Sequence, residues 1–176
     1  VVSMTEVLPG VTGWVPDGFV SEGEYPNSVE VSGGRLIVHW NNDAENLYMA
    51  LEGRAEGFVA IGFDPSRSMK DADMIMGWTK YGDATVLDLY ATGTFGLHPL
   101  DEELGGTDDI LQFGGRESDG ITVIEFKRKM NTGDEWDKIL LPGQTTNFIW
   151  SMSNQDVFAI KHNVAKGKSE LTFEKA

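Results

Sequence analysis

Hydrophobic residues recur at every second position along much of this chain, and no other feature constrains its fold so strongly. Leu36, Val38 and Trp40 fall on one side of RLIVHW (35–40), and Leu47, Met49 and Leu51 alternate with Tyr48 and Ala50 in NLYMALEG (46–53). Successive side chains of a strand point to opposite faces, so this period predicts strands rather than helices. GFVAIGF (57–63) is apolar at both phases, as a central strand is. DMIMGWTK (73–80) and ATVLDLYATG (84–93) flank YGD, a tight hairpin signal. The pattern continues through GITVIEFKRKM (120–130), TNFIWSMS (146–153), VFAIKH (157–162) and SELTFEK (169–175). Short strands separated by Gly, Asp and Asn turns predict an all-β fold, an antiparallel β-sandwich. Only DEWDKILL (134–141) reads as a helical turn. No repeat, linker or low-complexity run divides the chain, so residues 1–176 read as a single domain. Within it, residues 1–28 form an irregular N-terminal segment that wraps the sandwich edge.

Charge narrows the partners. The chain carries 28 acidic and 14 basic residues, a formal net charge of −14. Such a surface repels phosphate backbones, which argues against nucleic acid and anionic membranes and suits a cationic partner or a neutral ligand. The absence of cysteine rules out disulfides, thiolate metal sites, cysteine nucleophiles and covalent haem attachment through C-x-x-C-H. No stretch approaches the roughly 20 apolar residues of a membrane span. VVSMTEV at the N-terminus lacks a charged and an apolar leader region, so a signal or anchor is expected to be absent or already removed.

Catalytic motifs are equally scarce. There is no G-x-S-x-G, P-loop or G-x-G-x-x-G, and His39, His98 and His162 are the only histidines that could serve as a base. FGLHPLDEELGGTDDI (95–110) gathers five acids but lacks the D-x-D-x-D-G spacing of a calcium loop, and it reads as a solvated loop. Two residues remain unexplained. Met69 sits among polar and charged neighbours in GFDPSRSMKDADMIMGW (62–78), and alternation puts His162 on the same side as Phe158 and Ile160. Alone, each has a plain structural role: a methionine folded over a core edge, and a hydrogen-bonded rim histidine. As a pair they fit one further chemistry, because a thioether and an imidazole can ligate haem iron from opposite faces.

The order of several segments resembles the DOMON family across nearly the whole chain. GFVAIGF (57–63), SMKDADMIMGW (68–78), VLDLYATG (86–93), HPLDEELGGTDDI (98–110), ITVIEFKRKMNTGDEWD (121–137) and NFIWSMS (147–153) carry it, followed by His162 and Gly167. The resemblance implies an immunoglobulin-like β-sandwich. The family includes cytochrome domains, such as that of cellobiose dehydrogenase, and haem-free domains that bind sugars or other small ligands. In the cytochrome type one Met and one His ligate the iron, and the matching positions here are Met69 and His162. Met74 is the first substitute for Met69, with Met49 and Met76 nearby in the sequence. Arg67 is a candidate for meeting the haem propionates. The resemblance thus implies a non-covalent haem b carrier rather than an enzyme, serving a separate redox partner outside the cytoplasm. A haem-free module binding a sugar or another small ligand is the alternative.

Overall fold

The computed structural model describes residues 13–157 and 162–176. Ten strands are present among them: β1 (Asn27–Val31), β2 (Leu36–Asn42), β3 (Asn46–Gly53), β4 (Val59–Phe63), β5 (Asp73–Lys80), β6 (Asp83–Tyr90), β7 (Gln112–Ser118), β8 (Ile121–Lys129), β9 (Thr145–Met152) and β10 (Ala165–Thr172). They form two antiparallel five-stranded sheets, in the orders β1-β2-β3-β8-β7 and β10-β9-β4-β5-β6. The sheets pack face to face as a β-sandwich, the all-β fold that the alternation predicts.

The core lies between the sheets. From the first sheet, Trp40, Met49 and Phe126 stand in one cross-strand row, with Trp40 opposite Met49 and Met49 opposite Phe126. From the second, Ile61 is flanked by Ile75 and Trp150. All six belong to one buried cluster. Turn chemistry fixes the registers. Tyr81 and Gly82 join β5 to β6 with φ of 55° and 86°, and Asp119 and Gly120 join β7 to β8 with φ of 54° and 75°. Two consecutive left-handed residues make the turn whose twist matches paired strands.

Three local expectations are corrected. DEWDKILL forms no helix: the Asp134 carboxylate accepts the Trp136 N–H at 2.8 Å, and this side-chain bond competes with a helical turn. The helical turn among the described residues is a 3₁₀ turn at Asp101–Leu104, inside the acidic stretch read as a solvated loop. His162 lies outside any strand, in the segment that leads into β10, while residues 158–161 of VFAIKH lie outside the described residues. The N-terminal segment from residue 13 onward holds no strand until Asn27. Its Gly18 N–H donates to Glu125 Oε2 at 2.6 Å, which docks it on β8.

Candidate functional site

An antiparallel sandwich usually keeps the outer face of each sheet polar, because water sees it. The second sheet departs from that rule. In β4, Val59, Ile61 and Phe63 point inward, while Ala60 and the preceding Phe58 join an outer apolar cluster with Ala72, Met74, Met76 and Leu89. Gly62 shares that outer face, opposite Met74 on one side and Ile149 on the other. An apolar outer face requires a cover.

Loops form it. The segment between β4 and β5 is held at several points: Asp64 N–H donates to Asn147 O at 2.8 Å, Ser66 N–H to Lys70 O at 2.8 Å, and Asp71 N–H to Ala91 O at 2.7 Å. Asp64, Ser68 and Asp71 all take positive φ, so the chain turns sharply three times within eight residues. The Ser66 hydroxyl donates to the Asp71 carboxylate and holds its pKa below the usual carboxylate range. This pinned loop delivers Met69, half-buried, onto the outer apolar cluster.

Beneath the loops lies a cavity of about 700 Å³, within the range of small-molecule sites. Ala60, Met74, Met76 and Ile149 form its floor, and the small side chain of Ala60 keeps that floor low. Met69 and His162 both line it, so the fold brings together two residues 93 positions apart in the sequence. The segment carrying His162 is tied to the end of β9: Asn163 Oδ1 accepts from Ser153 Oγ at 3.1 Å and from Asn154 N–H at 2.9 Å. Val164 N–H then donates to Met152 O at 3.2 Å.

The other candidates separate cleanly. Met49 is fully buried between the sheets and does not line the cavity, whereas Met74 and Met76 do. Arg67 lines an adjoining depression rather than the main cavity. Among the described residues, the cations on the main cavity are Lys166 and Lys168, and Lys168 is shared with the depression. His39 is remote from the cavity lining and bonds to Glu52 at 2.9 Å. His98 is the residue that sequence reasoning missed. It lines the cavity with a buried Nδ1 that has no hydrogen-bond partner, and burial holds its pKa below the ordinary histidine value. Nothing in HPLDEEL marks it, because a histidine in an acidic loop reads as solvated. Beside it, Phe95 and Leu97 are 84% and 63% exposed, an apolar lip on the cavity mouth.

Gly167 completes the wall from β10. It stands opposite Trp150 of β9, and a Cβ there would lie 2.8 Å from Trp150 Cζ2. The indole therefore packs against bare backbone.

Fold and site together define a class: a β-sandwich module with a ligand-sized apolar cavity over one outer sheet face. The chain belongs to the DOMON domain family, whose model matches residues 32–153. Among known proteins, DBH-like monooxygenase protein 1 of Mus musculus is 32% identical over 133 residues, which are 75% of this chain and 21% of that protein. The chain thus spans about a fifth of the length of that curated relative. Among solved structures, the cytochrome b domain of pyranose dehydrogenase from Coprinopsis cinerea is similar with a TM-score of 0.58 at 12% identity, covering 82% of this chain and 80% of that one. The cytochrome domain of Myriococcum thermophilum cellobiose dehydrogenase is similar with a TM-score of 0.58 at 10% identity, covering 84% and 81%. At these identities the likeness is one of fold. Among the described residues, no helix is long and apolar enough to cross a membrane.

Proposed function

We propose that this domain binds one haem b non-covalently in the cavity, with Met69 and His162 as axial ligands, and carries electrons outside the cytoplasm. The observation that carries the proposal is the meeting of a thioether and an imidazole, distant in sequence, on one apolar cavity of ligand size. The donor set suits the group: sulfur and imidazole nitrogen are a known axial pair for haem iron. The apolar floor suits a flat macrocycle, and Lys166 and Lys168 offer ammonium groups on the cavity wall for its carboxylates. The fold is shared with two cytochrome domains, which adds to the reading.

When bound, haem b supplies a one-electron ferric–ferrous couple, and Met/His ligation raises its potential. The chain's own residues do the rest. Met69, on the pinned β4–β5 loop, would supply its sulfur, and His162, on the segment tied to β9, would supply a ring nitrogen. With Met69 and His162 both engaged, the bound group would serve electron transfer, and the domain would act as a carrier rather than a catalyst. Ala60, Met74, Met76 and Ile149 exclude water from the face they cover. With a formal charge of −14, the surface favours a redox partner with a basic patch and an association that weakens with salt.

A sugar reading has less support. Of the five tryptophans, Trp150 alone lines the cavity, and its ring belongs to the core between the sheets. The deciding experiment is titration with hemin, recording the visible spectrum before and after dithionite. The expected result is a shifted Soret band that saturates at one hemin per chain and a sharp α band on reduction, with the six-coordinate spectrum lost in Met69→Ala and in His162→Ala. No Soret shift at stoichiometric hemin overturns the proposal. Loss of the spectrum in Met74→Ala with retention in Met69→Ala overturns the ligand assignment.

A further inference from the structure

Three sides of the cavity are fixed by hydrogen bonds, and the fourth is not. The floor is sheet, the loop carrying Met69 is pinned at Asp64, Ser66 and Asp71, and the segment carrying His162 is tied to β9. The fourth side is lined by residues 94–98, between β6 and the 3₁₀ turn at Asp101–Leu104. Both ends of that stretch are anchored. Ala91 N–H donates to Ala72 O at 3.0 Å where the chain leaves β6, and Tyr90 N–H donates to Pro99 O at 3.1 Å where it returns. Leu100 then bridges Leu89. Between these anchors, among the described residues, none of residues 92–98 makes a hydrogen bond. Gly96 takes a φ of 103°, with no atom within 4 Å of where a Cβ would stand. The arch has no bond to break when it moves.

A loop so placed is ordinarily polar, because it faces water. This one, TGTFGL over residues 92–97, has no charged residue in a chain whose formal charge is −14. It carries Phe95 and Leu97, which after Tyr81 are the most exposed large apolar side chains among the described residues. Single exposed apolar residues are common and need no explanation. These two stand on one arch, however, and both line a cavity whose floor is apolar too. A docking patch for another protein accounts for their exposure but not for their place in the cavity lining. A ligand in the cavity accounts for both.

We propose that residues 92–98 are a cover that folds onto the cavity's ligand, with Phe95 and Leu97 packing on the side that the floor leaves open. The proposal rests on the cavity holding a flat apolar ligand, as the haem reading has it. Moving the two side chains from water onto such a ligand is favourable, because apolar surface is removed from water on both partners. The ligand thus completes its own binding site. Closure excludes water from the ligand's open side and slows its escape. The first anchor also links the cover to Met69: Ala72 N–H donates to Met69 O at 3.2 Å, and Ala72 O accepts from Ala91. Met69 and the arch share one foot.

The test follows the arch itself, by amide hydrogen exchange of the purified chain read by mass spectrometry. Two probes are used: hemin, and anilinonaphthalene sulfonate as an apolar ligand without iron. In the free chain the amides of residues 92–97 are expected to exchange without protection, and with either probe bound to slow by about tenfold or more. The double variant Phe95→Ser/Leu97→Ser is expected to keep the melting temperature of the free chain. It should release hemin to excess apomyoglobin about tenfold faster than wild type, the change falling on the off-rate. Saturation with hemin that leaves the arch amides unprotected overturns the cover while the haem reading stands. A wild-type release rate in the double variant does the same. If wild type shows no Soret shift, the haem reading fails and the sulfonate probe decides the cover. Bound sulfonate with protected arch amides then supports it, and binding without protection, or no binding, overturns it. Should the double variant fail to fold, exchange in the wild-type chain still decides.

Discussion

Arg128 of β8 reaches across the sandwich to Asp73 of β5, with Nη1 2.7 Å from Oδ2, and neither side chain is more than 1% exposed. This pair ties the two sheets together where the interior is most acidic. Arg128 Nη2 also donates to Lys138 O at 3.3 Å, which holds the segment carrying Asp137. Removing one partner of a buried pair leaves the other charge uncompensated, at a cost of about 3–5 kcal/mol. Arg128→Ala is therefore expected to lose about that much stability in urea unfolding. A loss below about 1 kcal/mol, the range of surface pairs, would show that Asp73 finds compensation elsewhere.

Gly167 gives a sharper steric prediction. Its φ lies outside the left-handed region, so the cost of a side chain there is contact with Trp150 rather than backbone strain. Gly167→Ala is expected to cost about 1–3 kcal/mol, the usual range for forcing atoms into a packed site. Trp150→Phe in the same background should recover part of that loss. Equal stability of Gly167→Ala and wild type in thermal melts would contradict the close packing.

Stability should also respond to pH through Glu125. This residue is fully buried and accepts from Gly18 N–H and, at 2.7 Å, from the Tyr25 hydroxyl. Burial, reinforced by Glu24 and Asp17, pushes its pKa up to about 7, against 4.5 unperturbed. A carboxyl whose folded pKa is raised binds its proton more tightly in the native state. Its contribution is complete below pH 4.5 and is lost as pH rises through 7. The slope approaches about 1.4 kcal/mol per pH unit for one proton. Asp88, Asp101 and Asp137, also raised by burial, act with the same sign, so Glu125 is isolated by difference. Between pH 4.5 and 7, Glu125→Gln should lose stability less steeply than wild type. Parallel curves would remove Glu125 from the account.

His98 shares the cavity with His162, and the two make opposite predictions. With His162 as axial ligand, His98→Ala keeps the six-coordinate spectrum of the hemin complex and its one-to-one stoichiometry. A spectrum lost in His98→Ala and kept in His162→Ala would move the imidazole ligand to the 94–98 loop.

How much of this was legible in the sequence depends on whether side chains alternate. β2 and β3 announce themselves because large apolar groups sit at every second position. β7 does not, because Gly114 and Gly115 carry no side chain to show a phase. Their bareness has a packing cause: a Cβ on Gly115 would lie 2.7 Å from Ile124 Cδ1, and one on Gly114 would overlap the Pro16 carbonyl. Met69 could be found because it had no neighbours to explain it, whereas His98 could not. The buried carboxylates of Asp73, Asp88 and Asp137 were hidden by their dispersal over three segments. Their only local sign is a charge at an inward phase, Asp73 before MIM and Asp88 between Leu87 and Leu89, which composition does not register.

Strand β4 serves two sides at once, and this interleaves two kinds of consequence along five residues. Substitutions at the odd-numbered positions, Val59, Ile61 and Phe63, reach the interior between the sheets. Those at Ala60 and Gly62 reach the outer face. In a saturation library the strand should therefore read like two texts set on alternate lines: every odd position scored by yield of soluble protein, every even one by colour.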